Sequence, residues 1–284
     1  MTAVDWAVRT VDVGGSPVTV RVGPSVPGST PLVHVHGFAV SGRYLLPTAA
    51  ALADRATAYV PDLPGHGASP GPRPPLSVPH LAEALLGTLD ALGLHRAVLV
   101  GNSLGGSVCL EAAHQAPERV AGVVLASPAG GAHNQPLARA LVQLARDAAR
   151  EDPRIARYQV PDYLHYGPAA TLAAFRQMVR FPSLERLLRS PVPTLGVIGS
   201  RDPLMPPPYR VRELASLGPG HMTLVVVLGA AHAMNFSHPV ELSHAVRCWL
   251  DGVVITDDPA AHARTRVLQV ARGASPAAPV APPA

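Results

Sequence analysis

The 284 residues are 48% hydrophobic and 15% charged, which is enough apolar material to bury a sizeable core and excludes disorder for most of the chain. All 23 basic residues are arginine, and the lack of lysine excludes Schiff-base chemistry, P-loop phosphate binding and kinase-type lysines. The formal charge of +4 comes from residues 130–190, with nine arginines against five acids; 4% aromatics and no dense basic run leave a nucleic-acid partner without stacking platforms or a phosphate stripe.

Met1 to Arg9 contains Asp5 and no apolar leader, and no apolar run approaches the roughly 20 residues of a membrane span, so a soluble cytoplasmic protein with no membrane partner is expected. From Trp6 to Val22 two β-branched runs flank Gly14-Gly15-Ser16-Pro17, the pattern of an antiparallel hairpin. Short apolar runs follow at Leu32–Val35, Ala58–Val60, Ala97–Val100, Val120–Ala126, Thr194–Ile198 and Met222–Leu228. Continuous runs of this kind suit strands buried on both faces of a parallel sheet. Helices are predicted near 44–54, 78–92, 104–116, 208–217 and 239–250, and this alternation gives an α/β fold with its site beyond the carboxyl ends of the strands.

The alternation breaks between Ala129 and Ser190, where a strand-poor stretch of about 60 residues is too long for a bare loop and reads as a helical cap. The expected organisation is therefore core at 1–128, cap at 129–190, core again at 191–256, and a disordered Ala/Pro-rich tail at 257–284. Cys109 and Cys248 fall in helix-like segments outside any Cys-x-x-Cys pattern and read as buried thiols. Nothing in the sequence speaks to the oligomeric state.

The chemistry concentrates at Gly101-Asn102-Ser103-Leu104-Gly105, between a predicted strand and a predicted helix. Such a turn forces the serine into sparsely populated backbone space and closes only if its flanking positions lack bulk, a demand that Gly101 and Gly105 meet. It also places the Ser103 hydroxyl at a helix N-terminus, whose field favours a developing anion. A serine needs a base, and among thirteen histidines His232 sits on the loop that follows the run Thr223–Leu228. The histidine needs an acid to fix its tautomer, and Asp202 lies just past Thr194–Ile198. The order Ser103, Asp202, His232 suits the elbow architecture.

An oxyanion hole would take the N–H of Leu104 and that of Phe38, with Gly37 allowing close approach. Gly37, Asn102 and Met234 are the expected pocket positions. His34 and His36 form a His-x-His pair that no third ligand nearby completes, so no metal is expected. The run Asp62 to Ser69 reads as a brace for the floor of the site.

His36-Gly37-Phe38, Asp62 to Ser69, Gly101 to Gly106, Gly199-Ser200-Arg201-Asp202 and Ala231-His232 together resemble the α/β-hydrolase superfamily, specifically its cap-bearing serine hydrolases, over about residues 5–252. The resemblance implies an eight-stranded, mostly parallel sheet with a helical cap after the sixth strand, and cofactor-free acyl chemistry on a small-molecule substrate. A serine at 103, not an aspartate, argues against dehalogenases and epoxide hydrolases. The expected activity is hydrolysis of a small-to-medium carboxylic ester or lactone through an acyl-enzyme. The alternatives are an acyltransferase or thioesterase, a non-catalytic binding protein on the same fold, and a carbon–carbon bond hydrolase. The last shares the Gly-Asn-Ser elbow, but its relatives place an aromatic residue soon after the histidine, where this chain has Ala233-Met234-Asn235 before Phe236.

Overall fold

The computed structural model describes residues 4–217, 220 and 222–271. Strands β1 (Ala7–Val13) and β2 (Ser16–Val22) form the opening hairpin, followed by β3 (Leu32–Val35), helix α1 (Leu46–Ala51), β4 (Ala58–Pro61), α2 (Val78–Ala91), β5 (Ala97–Asn102), α3 (Leu104–Gln115) and β6 (Val120–Ala126). Four helices, α4 (Leu137–Ala148), α5 (Ala156–Tyr166), α6 (Pro168–Arg180) and α7 (Ser183–Leu188), then intervene before β7 (Thr194–Gly199). The chain continues through α8 (Pro208–Ser216), β8 (Met222–Val227), α9 (Met234–Ser237), α10 (Pro239–Leu250) and β9 (Thr265–Gln269).

The strands form one sheet in the order β1-β2-β4-β3-β5-β6-β7-β8-β9. The six from β4 to β8 run parallel, while β1, β2 and β9 are antiparallel at the two edges. Alternate residues of the central strands point to opposite faces. Val33, Val35 and Leu99 pack with Leu85, Leu89 and Val108 of α2 and α3, whereas Leu32, Val98 and Val124 pack with Leu242, Val246 and Trp249 of α10. Burial on both faces is why these strands read as unbroken apolar runs.

The sheet has nine strands where eight were expected, and the tail expected to be disordered from 257 onward is ordered as far as Ala271. The added strand, β9, lies antiparallel to β8 with Val267 opposite Val225, and its Val267 and Leu268 pack against the clusters on the two sheet faces. The rest of the tail, 272–284, lies outside the described residues. Among the described residues no helix is long and apolar enough to cross a membrane.

Candidate active site

Ser103 sits between the last residue of β5 and the first of α3 with φ 57° and ψ −122°, a left-handed conformation unfavourable for a residue with a side chain. Its neighbours have no room for a Cβ: one on Gly101 would collide with the Gly105 carbonyl, and one on Gly105 with the carbonyl oxygen of Val35. The tight turn therefore depends on both glycines. It leaves Ser103 at the start of α3, where the first N–H groups have no partner within the helix.

Asp202 and His232 follow the parallel strands β7 and β8 on strand-to-helix loops at the same sheet end. The imidazole Nδ1–H donates to Asp202 Oδ2 at 2.8 Å, while Asp202 Oδ1 accepts the Leu204 N–H at 2.8 Å. The carboxylate thus caps its own turn and orients the ring. Burial pushes the imidazole toward its neutral form, but the charge and hydrogen bond of Asp202, with lesser help from Asp147 and Glu151, outweigh it and raise His232 to about 9. Its Nε2 is buried without a hydrogen-bond partner, and Ser103 Oγ is turned toward Met178 Sδ of α6 at 3.8 Å. Both side chains line one cavity of about 420 Å³.

Asn102 knits the surrounding loops together. Its Nδ2 donates to the carbonyls of Ala126 (2.9 Å) and His232 (3.1 Å), and its Oδ1 accepts the Tyr44 hydroxyl at 2.7 Å. Tyr44 Oη in turn accepts the Gly37 N–H at 2.9 Å. A Cβ on Gly37 would lie 3.3 Å from that hydroxyl and 3.4 Å from Ser103 Cβ, so glycine keeps the loop against the serine. Gly37, Phe38 and Asn102 line the cavity, although every polar atom of the Asn102 amide is already engaged with the protein. Met234 does not line it: fully buried, it packs in the cluster beneath α10. The Leu104 side chain also points into the core, leaving its main chain at the elbow.

His36 is occupied on both ring nitrogens, donating through Nδ1 to the Gly37 carbonyl at 2.8 Å and accepting the Leu63 N–H on Nε2 at 2.9 Å. His34 is sealed within β3, where burial lowers it to about 4. Asp62 accepts from Arg21 (2.9 and 3.2 Å), the Gly42 N–H and the Ala68 N–H. Although burial works the other way, the Arg21 hydrogen bond and charge hold Asp62 below the usual carboxylate range. Asp62 thus ties Arg21 of β2 and the Gly42 main chain to the loop after β4.

The helices between β6 and β7 supply what the sequence did not disclose. Leu141, Leu144 and Ala145 of α4 line the apolar side of the cavity together with Asp147 and Glu151. Asp147 Oδ1 accepts the main-chain N–H of His232 at 3.2 Å, and Glu151 Oε1 accepts that of Ala233 at 2.6 Å. Burial, and then the neighbouring Asp147, push Glu151 up to about 7. None of the nine arginines of 130–190 lines the cavity, and eight of them are exposed. Phe236, the first aromatic residue after His232, packs edge-on against Tyr158 of α5 and is not part of the lining.

Residues 32–245 match the model of the Alpha/beta hydrolase family, and the chain belongs to that family. It has the α/β-hydrolase fold. It is 42% identical over 103 residues to a dihydrolipoyllysine-residue acetyltransferase component of an acetoin cleaving system from Pseudomonas putida, a match covering 36% of this chain and only 28% of that protein. It is 28% identical over 221 residues to a poly(3-hydroxyalkanoate) depolymerase from Ectopseudomonas oleovorans, covering 71% of this chain and 78% of the relative. A solved thermophilic esterase from Thermogutta terrifontis shares the fold with a TM-score of 0.71 at 23% identity, over 87% of this chain and 98% of that one.

Proposed function

We propose that this hydrolase cleaves a small-to-medium carboxylic ester or lactone through an acyl-enzyme on Ser103. The observation that carries the reading is the convergence of Ser103 and the Asp202-oriented His232 on one cavity of about 420 Å³. A pocket of that size fits a small ligand, and the depolymerase relative is named for cleaving a polyester.

The first step requires Ser103 Oγ, which faces Met178, to turn about χ1 toward the unpartnered Nε2 of His232. Oγ then attacks the ester carbonyl while Nε2 takes its proton, and Asp202 stabilises the imidazolium. The oxyanion is held by the N–H groups of Phe38 and Leu104, each worth on the order of 3 kcal/mol in the barrier. Collapse breaks the bond to the leaving alkoxide, which receives the proton from Nε2. Water repeats the sequence and releases the acid. The helices of 129–190 act in this reading as a cap that supplies the apolar wall. Phe236, packed on Tyr158 away from the lining, counts against carbon–carbon bond cleavage.

A fluorophosphonate probe should label the wild type on Ser103 and leave Ser103→Ala unlabelled. On chromogenic acyl esters of graded chain length, Ser103→Ala and His232→Ala should each lose about a thousandfold or more in kcat. A folded wild type that neither labels nor turns over any of these esters would overturn the reading, and transfer of the acyl group to a competing alcohol in preference to water would make the enzyme a transferase.

A further inference from the structure

The wall of the cavity opposite the sheet carries two carboxyl groups and no arginine. Both reach across to the core, where their partners are consecutive main-chain N–H groups of the loop bearing His232. Asp147 is 5% exposed, and Glu151 Oε2 is buried with no hydrogen-bond partner. This arrangement is more than a fastening, because it brings two carboxyl groups to the main chain of a residue whose imidazole already faces Asp202.

We propose that Asp147 and Glu151 are positioning residues for His232: they clamp its main chain from the helical insertion and strengthen the negative field that holds a proton on its ring. The inference rests on the reading of His232 as the general base. The titratable groups around the ring are Asp202 from the loop after β7, Asp147 and Glu151 from the insertion, and the tyrosines Tyr163 and Tyr44 on either side of the cavity. Burial and the nearby carboxyls keep both tyrosines neutral through the working pH range. The field at His232 therefore comes from three carboxyl groups, of which two belong to the insertion. Their direction of action is set by Coulomb attraction: each favours the imidazolium.

Two kinds of variant separate clamp from field. In Asp147→Asn and Glu151→Gln the side-chain oxygen still accepts the main-chain N–H but the charge is gone. In Asp147→Ala and Glu151→Ala both are lost. The readouts are the ¹⁵N-histidine NMR titration of His232, assigned by its loss in His232→Gln, and the pH profile of fluorophosphonate labelling of Ser103.

The amide variants should move the His232 midpoint to lower pH by about half a unit or more, with the labelling profile following, and should lower the plateau labelling rate less than the alanine variants do. The alanine variants should shift the midpoint likewise and lower the plateau rate about tenfold or more. Unchanged His232 midpoints in both amide variants, with Ser103 still labelled, would overturn the proposal and leave the proposed function standing. If Ser103 is not labelled in the wild type, the proposed function falls instead, and the NMR titration still reports whether the two carboxyl groups act on the imidazole.

Discussion

Asn102 is the residue on which the loops of the site depend. One amide satisfies the end of β6 through the Ala126 carbonyl, the histidine loop through the His232 carbonyl, and the Phe38 loop through the Tyr44 hydroxyl and the Gly37 N–H. All of this occurs in a buried environment, where an orphaned polar group costs roughly 1–3 kcal/mol. Asn102→Ala should therefore lose on the order of 3 kcal/mol and lower the melting temperature by several degrees. It should also lower kcat more than it raises KM, since the substrate does not need the amide but both loops do. Asn102→Asp should be at least as damaging, because a carboxylate oxygen would face the two carbonyls that now receive N–H donors. A wild-type melting temperature in Asn102→Ala would contradict this account. The sequence marked Asn102 as a pocket residue because of its place in the elbow. Its true partners lie 24, 58 and 130 positions away, beyond any local pattern.

The helical insertion is polarised in charge, and the polarity reverses the emphasis that composition suggests. Counting residues draws attention to nine arginines, yet the acids are what face inward. Asp147 and Glu151 hold the histidine loop, and buried Asp162 of α5 accepts from the Ser41 N–H (2.7 Å), the Ser41 hydroxyl (2.6 Å) and Arg43 (2.6 Å). Three carboxyl groups therefore bolt the insertion to the core at two loops. The exposed arginines should matter little: Arg176→Gln with Arg180→Gln should change KM for a negatively charged ester less than about twofold, because exposed charges are strongly screened at physiological salt. A severalfold rise in KM for that ester, without a change for a neutral one, would instead give the arginines a role in attracting substrate.

The same contrast explains what could be read at the level of elements. Strands β3 and β6 match their apolar runs to the residue, because burial on both faces writes an unbroken run into the sequence. Strand β9 left no such trace. It is a half-buried edge strand after a Gly- and Asp-containing crossing, and Thr265–Gln269 mixes polar and apolar positions. The elbow glycines were legible because sterics at one turn dictate them. The acids of the insertion were not, because an acceptor for a main-chain N–H can be any carboxyl that the fold brings near.

For the whole molecule, the order of the sheet places β5 between β3 and β6, with β7 and β8 following on the same side. The serine turn and the loops carrying Asp202 and His232 consequently gather at one end, and their charges become a property of the entire fold. His232 is raised from 6.5 to about 9 in the folded state, against the pull of burial, by Asp202 and then by Asp147 and Glu151. A raised histidine contributes stability that is complete below its unfolded pKa and lost as pH climbs through its folded pKa. Glu151 has the same sign: burial and Asp147 raise it from 4.5 to about 7, so its contribution is present below 4.5 and disappears by about 7. Asp62 is lowered, chiefly by Arg21 against the effect of burial, and stabilises in the opposite direction, above the usual carboxylate range. The melting temperature should accordingly decline between about pH 6.5 and 9, by roughly 5–10 °C for a contribution of about 3 kcal/mol from His232. On the proposed mechanism, ester hydrolysis should rise over that same interval, because only neutral Nε2 can take the serine proton. Melting curves and rates collected across pH 5–10 check both limbs. In His232→Gln the decline above 6.5 should flatten, and in Glu151→Gln the part between 4.5 and 7 should disappear while the alkaline part persists. A melting temperature that holds level from pH 6.5 to 9 in the wild type would mean that the carboxyl groups around His232 do not bind its proton in the folded enzyme, and the activity profile would then have its midpoint near the ordinary histidine value.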